Sequence, residues 1–145
     1  MEMTDITIEQ KRTLLDTARD FATRAYVPYS HFPVGAAILV EDGSVIGGVN
    51  IENASYPLTI CGERSAVVTA ASRGHRTIFA VAVSAPKAPA TTPCGACRQV
   101  LNEFKPTDAE MLVLLDEGDA WQETTLSALL PAAFGPRDLE RADDA

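Results

Sequence analysis

Apolar residues recur along the chain at helical spacing in some segments and in short strand-like runs in others. Helical spacing follows Thr7, which can form a capping box with Gln10, and Pro28 predicts where this first helix ends. Asp42-Gly43 lies between two apolar runs and predicts a hairpin of antiparallel strands. The pattern predicts strands at about 34–40, 45–50, 78–83, 111–115 and 121–124, and later helices that start near Cys61, Cys94 and Thr125.

This order of elements predicts the fold class. The central β-α-β-α-β run needs crossover connections, which favour parallel strands, and the opening hairpin is expected at one end of the sheet. The uninterrupted apolar run at 78–83 is typical of a strand buried on both faces, so helices should cover both sides. We therefore expect an α/β protein, with three layers (α/β/α) around a five-stranded mixed sheet.

Length and composition set the organisation of the chain. Its 145 residues, 46% of them hydrophobic, are enough for one domain with its own core, so we expect a single catalytic domain over 1–145 with a loose tail from about 135. No apolar run reaches the ~18 residues of a membrane span. The acidic segment 1–5 is unlike a signal peptide, which predicts a cytoplasmic protein without a membrane partner.

Charge and cysteine count change this picture further. A net charge of −8, with 12 Lys and Arg against 20 Asp and Glu, argues against binding a nucleic acid polymer and favours a small-molecule partner. Three cysteines cannot close a disulfide framework. In a cytoplasmic chain this number indicates metal binding or catalysis.

All three cysteines fall at predicted helix starts: Cys61 opens one helix, and Cys94 and Cys97 lie in the first turn of the next. Each helix follows a strand of the same parallel unit, so both N-termini should face the crevice at the carboxyl ends of the strands. The positive end of the helix dipole favours thiolates there. Three thiolates would hold one Zn²⁺ and leave a fourth position for water, which is the coordination of a catalytic zinc.

Other interpretations of the cysteines remain open. Cys94 and Cys97 alone have the spacing of a redox CxxC pair, although that does not explain Cys61. A structural zinc would need a fourth ligand, and we expect His31 and His75 to be ordinary surface histidines. A non-catalytic zinc or redox module is therefore the alternative from a different functional class.

Charged residues beside the cysteines favour catalysis. Glu63 lies in a first helical turn, where it can reach the open zinc position and move protons without being a ligand. Three thiolates give the zinc centre a formal charge of −1, which weakens its acidity. A guanidinium that donates hydrogen bonds to the sulfurs would restore that acidity, and Arg64, with Arg98 in support, is the candidate for this charge tuning.

These residues also carry a family resemblance. Cys61-Gly62-Glu63 together with the segment 93–99 (PCGACRQ) resembles the zinc nucleoside deaminases. The segments 32–37, 50–56 and 129–134 extend the likeness over nearly the whole chain, and they are most similar to the small homotetrameric cytidine deaminases. Gly62 is a departure, since that family usually has Ala at this position, and this affects the pocket wall.

The resemblance implies roles that composition and spacing do not. Asn50 and Glu52 are expected to bind the ribose, and Phe32 to stack on the pyrimidine. Phe134 is expected to reach into the pocket of a neighbouring subunit of a homotetramer. The remaining substrate-binding residues implied by the family are Ala54, Tyr56 and Gly62.

The implied activity is hydrolytic deamination of cytidine and 2′-deoxycytidine to uridine and 2′-deoxyuridine, with release of ammonia, as in pyrimidine salvage. One Zn²⁺ per chain would activate hydroxide for attack on the ring, and Glu63 would shuttle the protons. An alternative within the enzymes is deamination of a modified cytosine nucleoside such as blasticidin S. A base-flipping deaminase acting on DNA or RNA is disfavoured by the net charge.

Overall fold

The structure, a computed structural model, describes residues 5–143 and confirms the predicted order of strands and helices. The helices are α1 (Ile8–Ala22), α2 (Gly62–Ser72), α3 (Gly95–Glu103), α4 (Leu126–Leu129) and α5 (Pro136–Asp143). The strands are β1 (Gly35–Val40), β2 (Val45–Val49), β3 (Ile78–Ser84), β4 (Leu112–Asp116) and β5 (Trp121–Thr125), and a short 3₁₀ helix covers Tyr56–Leu58. Within 5–143, every helix is too short or too polar to cross a bilayer.

The five strands form one mixed sheet in the order β2-β1-β3-β4-β5. Strand β1 pairs antiparallel with both β2 and β3, β3 pairs parallel with β4, and β5 returns antiparallel to β4. Strands β2, β3 and β4 therefore run in the same direction, with β1 inserted between β2 and β3. The prediction of a mixed sheet with the hairpin at one end is confirmed.

Alternating side chains divide the core into two layers. On β1, Ile38 and Val40 pack with the buried faces of α2 and α3, whereas Ala37 and Leu39 pack with α1 on the opposite side. The same alternation continues along β3 and β4, because successive side chains of a strand point to opposite faces. The result is the three-layer α/β/α arrangement that the sequence predicted.

Helix α1 begins as predicted but ends earlier. Thr7 caps it, and the side chains and backbones of Thr7 and Gln10 exchange hydrogen bonds in the expected capping box. The helix ends at Ala22, not near Pro28. The backbone of Tyr26 instead donates to Asn50 and accepts from Glu52, so pairing with the segment that leaves β2 replaces further helical hydrogen bonds.

The C-terminal segment contains a further helix. Within the segment from about residue 135 that the sequence predicts as a loose tail, α5 occupies Pro136–Asp143. Pro136 suits the first helical position, since its missing N–H has no helical acceptor there. The Asp138 carboxylate accepts a hydrogen bond from the Gly135 N–H at 2.9 Å, which adds a cap of the right charge at this helix start.

A partly buried ion pair, with Asp116 buried and Arg19 partly exposed, joins α1 to the carboxyl end of β4. Arg19 donates from Nε and Nη2 to the two carboxylate oxygens of Asp116, at 3.0 and 2.6 Å. Asp116 also accepts from the Ser84 hydroxyl and the Gly118 N–H. Burial by itself raises the pKa of the Asp116 carboxyl, but these hydrogen bonds outweigh it and hold that pKa below its usual value.

Replacing Asp116 by Asn removes the charge that Arg19 faces, so we expect Asp116→Asn to lower the free energy of unfolding at neutral pH by about 2 kcal/mol. Because the folded-state pKa is depressed, the carboxylate stabilises the fold above its unfolded-state pKa, near 3.8. This contribution is lost as the pH falls through the lower folded-state value. Urea unfolding of both proteins at neutral pH and at successively more acidic pH measures the difference.

Asp20→Asn is the matched control. Asp20 pairs with Arg24 at 2.6 Å, but both side chains are well exposed on α1, so its loss should cost less than about 0.5 kcal/mol. Equal destabilisation by the two variants would contradict the role of the pair between Arg19 and Asp116. So would an Asp116→Asn deficit that does not shrink at acid pH.

Candidate metal centre and active site

Three strand ends meet at one edge of the sheet and define the site. Val49 at the end of β2 and Ser84 at the end of β3 both pair with Gly35 at the start of β1. Helices α2 and α3 follow β2 and β3 and begin at this edge, with Cys61 and Cys94 as their N-cap residues. Both helix N-termini therefore lie at the carboxyl ends of parallel strands, where α/β proteins bind ligands.

The three cysteine sulfurs converge on one point. Cys61 Sγ lies 3.9 Å from Cys94 Sγ, Cys94 Sγ lies 3.3 Å from Cys97 Sγ, and all three lie within 4.8 Å of one another. A tetrahedral zinc with Zn–S bonds of ~2.3 Å requires sulfurs about 3.8 Å apart. Cys97 is buried, Cys61 half-buried and Cys94 exposed, so the group opens towards solvent on the Cys94 side.

The electrostatics of the sulfurs favour a cation. Hydrogen bonding with Cys97 lowers the pKa of Cys61, and Arg64 assists. The same interaction with Cys61 raises the pKa of Cys97, and burial raises it further. The Cys61 thiolate therefore opposes the ionisation of Cys97, and a divalent cation bound to both sulfurs would remove this opposition. The donor set fits zinc, and these residues are positioned to bind it.

The alternative interpretations can be tested against this geometry. The three thiols are free, and a redox CxxC pair would need Cys94 and Cys97 but would leave the approach of Cys61 unexplained. The two histidines lie outside the sulfur group, as predicted. His75 Nδ1 is 3.3 Å from a Glu41 carboxylate oxygen, and His31 is exposed, its carbonyl accepting from Lys87.

Glu63 lies in the first turn of α2, two residues after Cys61, and its side chain is only 4% exposed. Burial raises the pKa of its carboxyl, and the negative charge of Cys61 raises it further. Both effects favour the neutral acid over the carboxylate. A glutamate whose pKa is raised in this way is better suited than a free carboxylate to accept and return a proton.

The two arginines have different contacts. Arg64 Nη2 lies 3.9 Å from Cys61 Sγ and donates to the Thr59 carbonyl at 3.2 Å, so its guanidinium is where charge tuning requires it. Arg98 instead donates to three oxygens, at distances of 2.8, 2.8 and 3.1 Å, on Pro93, Leu129 and Thr92. These contacts do not support the expectation that Arg98 tunes the metal. They show that it fastens the loop before Cys94 to the end of α4.

Asn50 and Glu52 both turn towards the segment that enters β1. The Asn50 side chain accepts from the Val34 N–H and donates to the Phe32 carbonyl, at 2.9 and 2.8 Å. The Glu52 carboxylate accepts from the backbone N–H groups of Tyr29 and Ser30. Hydrogen bonding with Ser30 holds the pKa of Glu52 below its usual value. The expected substrate residues are thus already oriented by the protein itself.

The remaining expected substrate residues are spread more widely. Ala54 and Tyr56 lie exposed in the loop between β2 and α2, where the Tyr56 ring contacts the edge of Tyr29. Gly62 is buried as the first residue of α2. The Phe134 side chain is 61% exposed, and its carbonyl accepts from Gln99 and Asn102 of α3. Within this chain Phe134 is held at the surface beside α3.

Several contacts at this edge had no signal in the sequence. Thr59 orients Arg64 through its carbonyl, and Tyr29 and Ser30 orient Glu52 through their N–H groups. Every residue has a carbonyl and nearly every residue has an N–H, so residue type does not distinguish these positions. Lys87 reaches the His31 carbonyl across 56 positions of the chain, a pairing that only the fold brings about.

The fold and this site together define a zinc-dependent deaminase. Comparison with known proteins agrees. A family model described as "Cytidine and deoxycytidylate deaminase zinc-binding region" matches residues 8–113. The chain is 50% identical over 129 residues to a cytidine deaminase of Halalkalibacterium halodurans, covering 89% of this chain and 97% of that protein. It is 43% identical over 128 residues to one of Mycobacterium tuberculosis, covering 88% and 92%.

Solved structures give the same result. The crystal structure of cytidine deaminase from Burkholderia pseudomallei aligns with a TM-score of 0.78 at 42% identity, covering 85% of this chain and 98% of that one. That of the Mycobacterium tuberculosis enzyme aligns with a TM-score of 0.74 at 42% identity, covering 86% and 97%. The chain belongs to the cytidine and deoxycytidylate deaminase family.

If the three sulfurs form the metal centre, the protein should be isolated with one zinc per chain, and Cys94→Ala should lower the zinc content well below one equivalent. Cys94 is exposed, so its truncation should leave the core intact. Elemental analysis with a parallel circular dichroism spectrum measures both properties. His75→Ala is the control and should retain its zinc. A metal-free wild-type chain that readily forms a Cys94–Cys97 disulfide would contradict the prediction.

Proposed function

We propose that this protein catalyses the hydrolytic deamination of cytidine and 2′-deoxycytidine to uridine and 2′-deoxyuridine, with release of ammonia. The observation that carries the proposal is the convergence of Cys61, Cys94 and Cys97 beside the buried Glu63. The names of the relatives support the choice of substrate, because proteins called cytidine deaminase match this chain over most of its length.

Zinc held by Cys61, Cys94 and Cys97 supplies the Lewis acidity that makes a water molecule nucleophilic near neutral pH. Glu63 accepts a proton as the water oxygen bonds to C4 of the pyrimidine, and it delivers that proton to N3. It then takes the proton of the new hydroxyl at C4 and passes it to the exocyclic amine. The C4–N bond breaks, ammonia leaves, and the product has a C4 carbonyl and an N3–H.

Protein groups around the reacting ring orient it. In the proposal, Phe32 stacks on the pyrimidine, while Asn50 and Glu52 bind the ribose. The low pKa of Glu52 keeps its side chain ionised, which makes it a strong acceptor for the 3′-hydroxyl. Arg64 withdraws electron density from Cys61 through their contact, which sustains the acidity of the metal centre.

The assembly belongs to the same proposal. We infer a single catalytic domain that works as a homotetramer, in which Phe134 completes a pocket of the neighbouring subunit. Large apolar side chains that are well exposed in the isolated chain, including those of Tyr56, Leu58 and Phe134, support this inference. A cytoplasmic location and a role in pyrimidine salvage are consistent with three free cysteines, which persist in reducing compartments.

A substrate panel tests the proposal. The purified protein is incubated with cytosine, cytidine, 2′-deoxycytidine, CMP, blasticidin S and a cytosine-containing oligonucleotide, and ammonia release is measured with and without a zinc chelator. We expect the two nucleosides to react and the chelator to abolish their turnover. Turnover of blasticidin S or of the oligonucleotide in place of the nucleosides would overturn the substrate assignment, and turnover that resists the chelator would overturn the role of zinc.

Glu63→Gln tests the mechanism. The amide keeps the size of the side chain but cannot carry the proton, so kcat for cytidine should fall by roughly 10²–10⁴-fold or more, while zinc content and fold are retained. Steady-state kinetics and elemental analysis measure these properties. Glu103→Gln is the matched control on the exposed surface of α3 and should keep its activity. An ordinary kcat for Glu63→Gln would rule out Glu63 as the proton carrier.

A further inference from the structure

Helix α2 touches the sheet through backbone atoms at Gly48 of β2. A methyl group built at Gly48 would lie 2.3 Å from the Ala66 nitrogen, 2.5 Å from the Gly62 carbonyl oxygen and 2.9 Å from the Ala66 Cα. Ordinary contact begins near 3.4 Å, so the space for even one methyl group is missing by about 1 Å. These atoms belong to the backbone of the first turns of α2 and cannot rotate away as a flexible side chain can.

The N-terminal part of α2, which contacts Gly48, is also the part that contains the candidate site residues. Cys61 caps this helix start, and Glu63 lies within its first turn. The closeness of the helix to β2 therefore fixes how far the sulfur of Cys61 and the carboxyl of Glu63 stand from the sheet.

Helix α3 shares a buried core with α2, but it is also held by polar contacts that α2 does not make. Arg98 ties the start of α3 to Pro93, Thr92 and Leu129, and Gln99 binds the carbonyl of Phe134. These interactions involve the loop after β3 and the C-terminal segment, and none of them involves β2. A shift of α2 away from β2 would therefore change the distances from Cys61 and Glu63 to Cys94 and Cys97.

We infer that Gly48 is a positioning residue for the reaction, because it lets α2 approach β2 closely enough for Cys61 and Glu63 to meet the cysteine pair of α3. The inference rests on the proposed function for its kinetic consequence. Its structural consequence, the geometry of the three-sulfur metal site, does not depend on which substrate the enzyme uses.

Gly47 provides a matched comparison in the same strand. It precedes Gly48 and faces the opposite side of the sheet, where a built methyl group would lie 2.5–2.6 Å from three atoms of the Phe21 ring. Phe21 is a side chain and can move. Gly47→Ala therefore makes the same chemical change in the same strand, but it presses on α1, away from the metal site.

The experiment compares wild type, Gly48→Ala and Gly47→Ala after zinc is replaced by Co²⁺. The visible absorption of Co²⁺ reports the geometry of its ligands, chelator competition gives the metal affinity, and thermal unfolding gives the stability. For Gly48→Ala we expect altered cobalt bands, a metal affinity lower by about 10–100-fold, and a kcat for cytidine lower by on the order of 10²-fold with a much smaller change in KM. Gly47→Ala should lose stability while its cobalt spectrum and kcat stay close to those of wild type.

Ala66→Val serves as a second displacement if Gly48→Ala does not fold. Ala66 is fully buried and is the α2 residue that lies nearest to Gly48, so the two added methyl groups should press the helix away from the sheet. We expect altered cobalt bands and a several-fold loss of kcat.

The inference is overturned if Gly48→Ala keeps the cobalt bands, metal affinity and kcat of wild type and loses only stability, as Gly47→Ala should. Gly48 would then be an ordinary packing residue. If Gly48→Ala does not fold, an unchanged cobalt spectrum in a folded Ala66→Val would overturn the inference. A wild-type protein with the expected three-sulfur cobalt spectrum but no activity on cytidine would instead overturn the proposed function. In that case the spectra and affinities of the variants still decide the role of Gly48.

Discussion

The repulsion among three neighbouring thiolates is the interaction on which the site depends. Three sulfurs lie within 4.8 Å of one another, so negative charges on them repel, and the opposite pKa shifts of Cys61 and Cys97 express this conflict. Bound zinc would resolve the conflict, and three protein ligands would leave one position for a water molecule. The same sulfurs would reduce the acidity of the metal, and in the proposal the guanidinium of Arg64, 3.9 Å from Cys61 Sγ, offsets this effect.

The sheet supplies the rigid frame that this arrangement needs. Strand β1 lies between β2 and β3, so the starts of α2 and α3 are separated by one intervening strand and still reach a common point. Close backbone contact at Gly48 brings α2 inward from one side. On the other face, the pair of Arg19 with Asp116 fastens α1 to the same edge of the sheet. The contacts that hold the helices on the sheet and the residues of the candidate site therefore both lie at the carboxyl ends of the strands.

Most of the fold could be predicted from local patterns. The capping box at Thr7, the turn at Asp42-Gly43 and the buried runs of β3 and β4 each depend on neighbours close in sequence, and the structure confirms them. Predictions from local patterns were wrong or incomplete where contacts between distant segments decide the structure. Helix α1 stops at Ala22 because Tyr26 pairs with the chain that leaves β2. The Arg98 guanidinium donates to the Pro93 and Leu129 carbonyls, contacts that the sequence did not predict, and its role at the sulfurs stays a prediction.

Local sequence was enough to identify the candidate ligands and the candidate proton carrier. The spacing of Cys94 and Cys97, the placement of Cys61 at a second helix start and the adjacent Glu63 are local features, because ligand chemistry and helix caps depend on residue type and short spacing. The distances among the sulfurs, the burial of Glu63 and the close approach of α2 to Gly48 could be read only from the folded structure. These depend on how two helices 33 residues apart at their caps pack against one sheet, and such packing is a sum of many long-range contacts that no short segment encodes.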